Sequence, residues 1–269
     1  MNVYTNGKTN PALRELDYTL ASLERRFGEN SVMRLGQAHH LHAQAIPTGF
    51  MRLDKALGVG GLPRGRIAHI YGPEFSGKTT LCLATIAQAQ RAGGLGCFID
   101  MEHAIDPGHA ANCGIEAEAL YLAQPTCGEE ALEIAETMVK AGVSVVAIDS
   151  TAALVPRAEL AVDMGDNVDS LHGRLMSQAM RKLAGIARKN NTLLIFTSQM
   201  RTRPGVTVDN HPTGGKALRF YSSVAIDLQP LRWIKAGGQV VGRRIKATVK
   251  KNKVARPYQT AEIDLNWGK

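Results

Sequence analysis

No uninterrupted apolar run in this chain approaches the length needed to cross a bilayer, so no membrane-spanning helix is expected. Cysteine is scarce. Cys82, Cys97, Cys113 and Cys127 are the only thiols and form no C-x-x-C pair. That spacing argues against a disulfide scaffold or a cysteine zinc site and for buried free thiols. The opening residues, MNVYTNGKTN, hold no apolar signal-peptide core, and a cytoplasmic location is the expectation. Acid is what the final quarter lacks. From Arg201 to Lys269 there are 14 Lys/Arg against 4 Asp/Glu, a local charge of +10 in a chain of formal charge +8. The first 200 residues therefore sum to −2. Such a block fits a polyanionic partner; a solvated surface that only aids solubility is the plainer reading.

What is present is ordinary in bulk. Apolar residues make up 44% and charged residues 21% of 269 residues, the composition of one large α/β domain with a small appendage. Leu13, Leu16, Leu20, Leu23 and Phe27 repeat at helical spacing through residues 11–27, and Gly28 follows. Ser31–Leu35 reads as a short strand, and His39, His40 and His42 fall in a loop with no carboxylate or cysteine nearby to complete a metal site. Strands are expected at Ile67–Tyr71, Cys97–Asp100, Val143–Asp149 and Thr192–Thr197. Helices are expected at Thr80–Arg91, Glu129–Lys140 and Arg174–Lys189. This alternation predicts a mostly parallel sheet covered on both faces. Ser222–Leu228, Arg244–Val249 and Thr260–Leu265 lack intervening helices and predict an antiparallel extension of its edge. Two Gly/Pro/Asp-rich segments, residues 161–170 and 202–212, read as mobile loops.

The sharpest motif is Gly72-Pro73-Glu74-Phe75-Ser76-Gly77-Lys78-Thr79, a G-x-x-x-x-G-K-[ST] phosphate loop between a strand and a helix. Its glycines let backbone N–H groups converge at the positive end of the following helix, where a triphosphate is favoured. Lys78 adds a charge for the outer phosphates, and Thr79 offers a hydroxyl to Mg²⁺. Val145-Val146-Ala147-Ile148-Asp149 ends a strand in an acid, which suits holding the same ion. Glu102 lies just past another strand. It is either the group that orients an attacking water or a solvated loop carboxylate.

The stretches YGPEFSGKTTL, FIDMEHAIDP, AIDSTAALVPRAEL, GRLMSQAMRKLAG, NNTLLIFTSQMR, TGGKALRFYSSVAIDL and KKNKVARP follow one another in this order. Through them, from the first helix to about Trp267, the chain resembles the bacterial RecA recombinase family. The resemblance implies a RecA-like phosphate-loop core over residues 39–269, with residues 1–38 packing on a neighbouring subunit. It implies that Gly72–Thr79 and Thr80 bind ATP, with Mg²⁺ held at Thr79 and Asp149. Glu102 would activate water, Gln199 would sense the γ-phosphate, and Asp106 would contact adenine. Lys251 and Lys253 would reach a neighbour's ATP. Arg174, Ser177 and Arg181 beside the first loop, and Arg201, Gly214 and Gly215 beside the second, would bind DNA. Few aromatics in either loop fit backbone contact rather than base readout. The implied function is DNA repair by homologous recombination: an ATP-hydrolysing filament on single-stranded DNA that pairs it with a homologous duplex. A relative that assembles with ATP on DNA without exchanging strands is the alternative. A repressor partner is specified by none of these residues.

The pattern departs from the family at a few positions. His109 stands where a tyrosine is usual, and Phe75 where the phosphate loop is usually small. The second loop is two residues shorter and carries Pro204, and the first carries Asp169 in place of a methionine. The chain stops at Asn266-Trp267-Gly268-Lys269, where the family core finishes, so the family's small C-terminal domain and acidic tail are not expected; this accounts for the basic pI of about 9.4.

Overall fold

The computed structural model describes residues 11–29, 31–34, 44–162, 171–202, 210–212 and 214–267, with side chains omitted at 11–13, 201–202 and 210–212. The chain divides into two compact units, Met1–His42 and Ala43–Lys269. In the first, helix α1 spans Pro11–Phe27, and Gly28 ends it at φ +95°, its N–H donating to the Glu24 carbonyl at 2.8 Å. Leu16, Tyr18 and Phe27 on α1 are exposed. The expected strand at Ser31–Leu35 is not formed across residues 31–34, which carry bends and no ladder. A strand needs a partner for its N–H and C=O groups, and no described strand pairs with this segment. Leu35 and the three histidines lie outside the described residues.

The second unit is built on strands β1 (Ala45–Ile46), β2 (Leu62–Pro63), β3 (Ile67–Gly72), β4 (Gly96–Asp100), β5 (Leu120–Ala123), β6 (Val145–Asp149), β7 (Leu193–Thr202), β8 (Asn210–Pro212), β9 (Val224–Ala236), β10 (Gln239–Asn252) and β11 (Thr260–Asn266). Its helices are α2 (Met51–Leu57), α3 (Lys78–Arg91), α4 (Pro107–Asn112), α5 (Gly128–Lys140), α6 (Arg157–Leu160), α7 (Leu171–Lys189) and α8 (Gly215–Tyr221). The main sheet runs β11-β10-β9-β3-β7-β6-β4-β5. β3, β4, β5, β6, β7 and β9 are mutually parallel, and along this order antiparallel pairing begins at β9·β10; β8, off the order, pairs antiparallel with β7. The expected antiparallel extension is thus corrected by one strand. α8, unread in the sequence, returns the chain so that Val224 enters alongside Ala68 in parallel register. Gly237 and Gly238, both at positive φ, close the long β9·β10 hairpin.

Strand alternation supplies both cores. Along β6, Val145 and Ala147 face one cluster and Val146 and Ile148 the other. Leu193 and Ile195 of β7 join the first, and Leu194 and Phe196 the second. Helices α2 and α3 cover the first face, and α5, α7 and α8 the second. Strands buried on both sides read as continuous apolar runs, and these do. Cys82, Cys97 and Cys127 are buried and Cys113 is half-buried, all as free thiols. Among the described residues no helix is long and apolar enough to cross a membrane.

Candidate functional site

The C-terminal ends of β3, β7, β6 and β4 lie side by side, the usual ligand edge of a parallel sheet. Gly72 pairs in register with Gln199, and Asp100 with Asp149. The phosphate loop therefore starts beside Gln199, and the two strand-ending acids are neighbours.

Sterics dictate the loop's glycines. A Cβ on Gly72 would sit 2.3 Å from the Leu228 carbonyl oxygen, and one on Gly77 would sit 2.0 Å from Leu265 Cδ1. Gly77 adopts φ +85° and opens α3. Glu74 and Phe75 are exposed, and Pro73 is half-buried. Ser76 is fully buried, and its Oγ has no hydrogen-bond partner among the described residues. Lys78 is 9% exposed and folds back, donating to the Pro73 carbonyl at 2.8 Å and the Gly72 carbonyl at 3.2 Å. Burial lowers its pKa, while Asp149, Glu102 and Glu74 oppose the shift. A buried hydroxyl without a partner among the described residues, a cradle with no room for Cβ atoms and a lysine folded back onto its own loop all fit a polyphosphate.

Asp149, 7% exposed, is held by two hydroxyls. Thr79 donates to Oδ2 and Thr197 to Oδ1, both at 2.5 Å. Burial raises the carboxyl's pKa, and these two bonds work against that. Among the described residues no group of three or more His, Cys, Asp and Glu forms a metal cage. A hydroxyl and one carboxylate suit Mg²⁺, which keeps waters and takes phosphate oxygens.

Glu102 Oε1 accepts from Ser150 Oγ at 2.5 Å and from Gln199 Nε2 at 3.3 Å. A second polar chain runs deeper. His69 Nε2 meets Ser198 Oγ at 2.7 Å, Ser198 meets Thr151 Oγ1 at 2.7 Å, and the Thr151 carbonyl meets His172 Nε2 at 3.0 Å. A Cβ on Gly214 would lie 3.2 Å from Thr151 Oγ1. The nucleotide edge thus touches α7 through His172, and Gly214 at the entry to α8 lies beside Thr151. Burial, then Arg219 and Lys251, push the His69 pKa down to about 3. Sequence reasoning missed Ser150, Thr151, Thr197, Ser198 and His69. The hydroxyl pairs directly after Asp149 and at the end of the β7 apolar run were the available signal.

Asp106 caps α4, its Oδ2 accepting from the His109 N–H at 2.6 Å. His109 Nε2 reaches Thr80 Oγ1 at 3.1 Å, which places both beside the start of α3. Lys251 and Lys253 bond elsewhere: Lys251 Nζ to the Arg219 and Phe220 carbonyls, and Lys253 Nζ to that of Phe220 at 3.2 Å. They satisfy the C-terminal end of α8, as cations do at a helix C-terminus. Burial, Lys253 and Arg219 lower the Lys251 pKa. Beside it opens a cavity of about 1010 Å³ lined by His69, Lys216, Arg219, Phe220 and Lys250.

Arg174 and Arg181 are exposed on α7, and Ser177 between them is half-buried. Arg181 Nε donates to the Ser177 carbonyl at 3.1 Å. Ser177 and Arg181 also share a depression with Lys216 and Lys253 of the neighbouring elements. Gly214 and Gly215 adopt φ +98° and +72°, the left-handed turn that starts α8. The backbone of Arg201 pairs with His211, and its side chain lies outside the described residues. So do residues 163–170, 203–209 and 213, including Asp169 and Pro204.

Residues 14–269 match the model of the RecA N-terminal domain. The chain is 49% identical over 258 residues to Protein RecA of Caldanaerobacter subterraneus subsp. tengcongensis, covering 95% of this chain and 75% of that protein. It is 50% identical over 279 residues to Protein RecA of Chlorobium limicola, covering 100% and 80%. The crystal structure of the RadB recombinase aligns with a TM-score of 0.61 at 25% identity, over 81% of this chain and 94% of that one. The chain belongs to the RecA family of recombinases.

Proposed function

We propose that the chain is a DNA-dependent ATPase that assembles as a filament on single-stranded DNA and exchanges that strand with a homologous duplex. The observation that carries this reading is the polar continuity from the phosphate-loop edge to the arginine-bearing helix α7, with the entry to α8 beside it. Gln199 is registered against Gly72 and bonded to Glu102, and the adjacent Ser198 leads through Thr151 to His172 and Gly214. A change at the γ-phosphate position has a short path to both DNA-loop flanks.

In this proposal Gly72–Thr79 and Thr80 cradle the ATP phosphates, and Asp106 with His109 lies at the adenine end. Thr79 and Asp149 would hold Mg²⁺, which neutralises charge on the transferred phosphate. Lys78 leaves its loop carbonyls for phosphate oxygens. Glu102, held by Ser150 and Gln199, orients the attacking water. The Gln199 amide exchanges Glu102 for a phosphate oxygen and so registers whether the γ-phosphate is present. Lys251 and Lys253 project to the neighbour's nucleotide, and residues 1–38 dock on the adjacent subunit. Arg174, Ser177, Arg181, Arg201, Gly214 and Gly215 grip the DNA backbone without reading bases.

The test is ATP hydrolysis with and without single-stranded DNA, filament imaging and a strand-exchange assay. Stimulated hydrolysis, filaments and exchanged product are expected, all lost in Lys78→Ala. Filaments without exchanged product would identify an assembly protein instead, and hydrolysis indifferent to DNA at every salt concentration would overturn the proposal.

A further inference from the structure

The outer side of the phosphate loop converges on one arginine. Arg243 Nη1 donates to the Phe75 carbonyl at 3.3 Å. Its guanidinium carbon lies 4.2 Å from the centre of the Trp233 ring. Arg243 and Trp233 are directly opposite across the β9·β10 ladder, so their side chains share a face of the sheet. Trp233 in turn meets Trp267 edge to face at 5.7 Å. The stacking holds a long, otherwise mobile side chain in one orientation.

Phe75 needs such an anchor. It adopts φ +54°, a region that non-glycine residues avoid, and the residue is 81% exposed. In a trans peptide the carbonyl and the next N–H point in opposite directions. Drawing the Phe75 oxygen towards Arg243 therefore turns the Ser76 N–H the other way. Ser76 is buried, with its hydroxyl unpartnered among the described residues, and Gly77 then opens α3 at φ +85°. A phosphate nest is a run of N–H groups preset to one concavity, and any peptide free to flip weakens it.

We infer that Arg243, clamped on Trp233, is a positioning residue that presets the Phe75–Ser76 peptide for phosphate binding. It acts from the far strand of the hairpin and touches no phosphate itself. The inference rests on the reading that Gly72–Thr79 binds the phosphates of ATP.

The experiment uses the full chain, ATP with Mg²⁺ and saturating single-stranded DNA. Arg243→Met is expected to raise the KM for ATP by about five- to tenfold, the loss of one charge-assisted bond, with kcat within about twofold of the parent. Arg243→Lys, which keeps the charge but not the flat stacking face, is expected between the two. An unchanged KM in Arg243→Met overturns the inference. Should Arg243→Met fail to fold by circular dichroism, Trp233→Leu removes the clamp instead and must raise KM likewise; an unchanged KM there overturns it equally. Equilibrium dialysis of ATP against the parent separates the two levels. No binding sinks the functional reading itself, whereas binding equal in parent and variants sinks only the role of Arg243.

Discussion

At the strand ends, Asp149 is 7% exposed and each carboxylate oxygen accepts from a hydroxyl. On α7, Arg174 and Arg181 stand exposed, and the bond described for Arg181 is to its own helix backbone. One region buries its carboxylate between hydroxyl donors. The other presents long cationic side chains to solvent. The difference matches the two ligands proposed for them. A triphosphate arrives with one shape, so preorganised donors cost little at binding. A single strand of DNA offers repeated phosphates on a flexible backbone, and adaptable cations meet it without demanding one geometry.

The largest effect is expected at Glu102. Glu102→Gln keeps the shape and the Ser150 contact but removes the base. Steady-state hydrolysis should fall by about 10²- to 10⁴-fold, while filaments still form with ATP. Lys78→Ala should abolish both, because it removes the cation from the cradle. If Glu102→Gln lost filaments as well, the strand-end network would be structural rather than catalytic, and the contrast with the arginine face would lose its meaning.

A smaller effect tests whether the buried layer beneath the site is as closed as it looks. His69 is 1% exposed, and its pKa is pushed down to about 3. Between pH 6.5 and pH 3 the unfolded chain binds a proton that the native chain refuses. Stability therefore rises with pH across that window, is fully present above it and is lost as pH falls. From pH 7 to pH 5 the single group should cost about 2 kcal/mol. His69→Gln, which can keep a donor towards Ser198, should flatten that part of the curve. Denaturant unfolding at several pH values measures it, and identical slopes in the two proteins would mean that water reaches His69.

Much of this was legible in the sequence, for reasons that differ by residue. The strand–loop–helix around Lys78 needs only local signals: an apolar run, two glycines and a helix without Gly or Pro. Asp149 was legible because four apolar residues lead to it. The partners that hold these groups were not. Thr197 and Ser150 reach Asp149 and Glu102 across the sheet, 48 positions away in each case, and single-chain periodicity carries no record of strand order. α8 is only seven residues long, too short for helical periodicity to declare itself. Without it, β9 read as antiparallel. Arg243 was indistinguishable from Arg244 beside it until the ladder register put it opposite Trp233, while Arg244 pairs with Asp264.

The smallest predicted effects lie on the arginine face, and they decide whether it is a grip or merely a charged surface. Arg174→Ala and Arg181→Ala leave the core intact, since Met176, Met180 and Leu183 carry the buried side of α7; unfolding free energies should stay within about 0.5 kcal/mol of the parent. DNA affinity should weaken by about 1 kcal/mol for each variant, uniformly across sequences. The more telling quantity is the salt dependence. A side chain that neutralises one phosphate of a single strand contributes about 0.7 to the slope of log affinity against log salt. Fluorescence anisotropy across a salt titration should therefore show each variant shallower by about that amount and the pair additive. Weaker binding with an unchanged slope would place the arginines near the DNA without phosphate contact. An unchanged affinity would reduce this face to a solvated one and leave the burden of DNA binding to the glycine-flanked entry of α8.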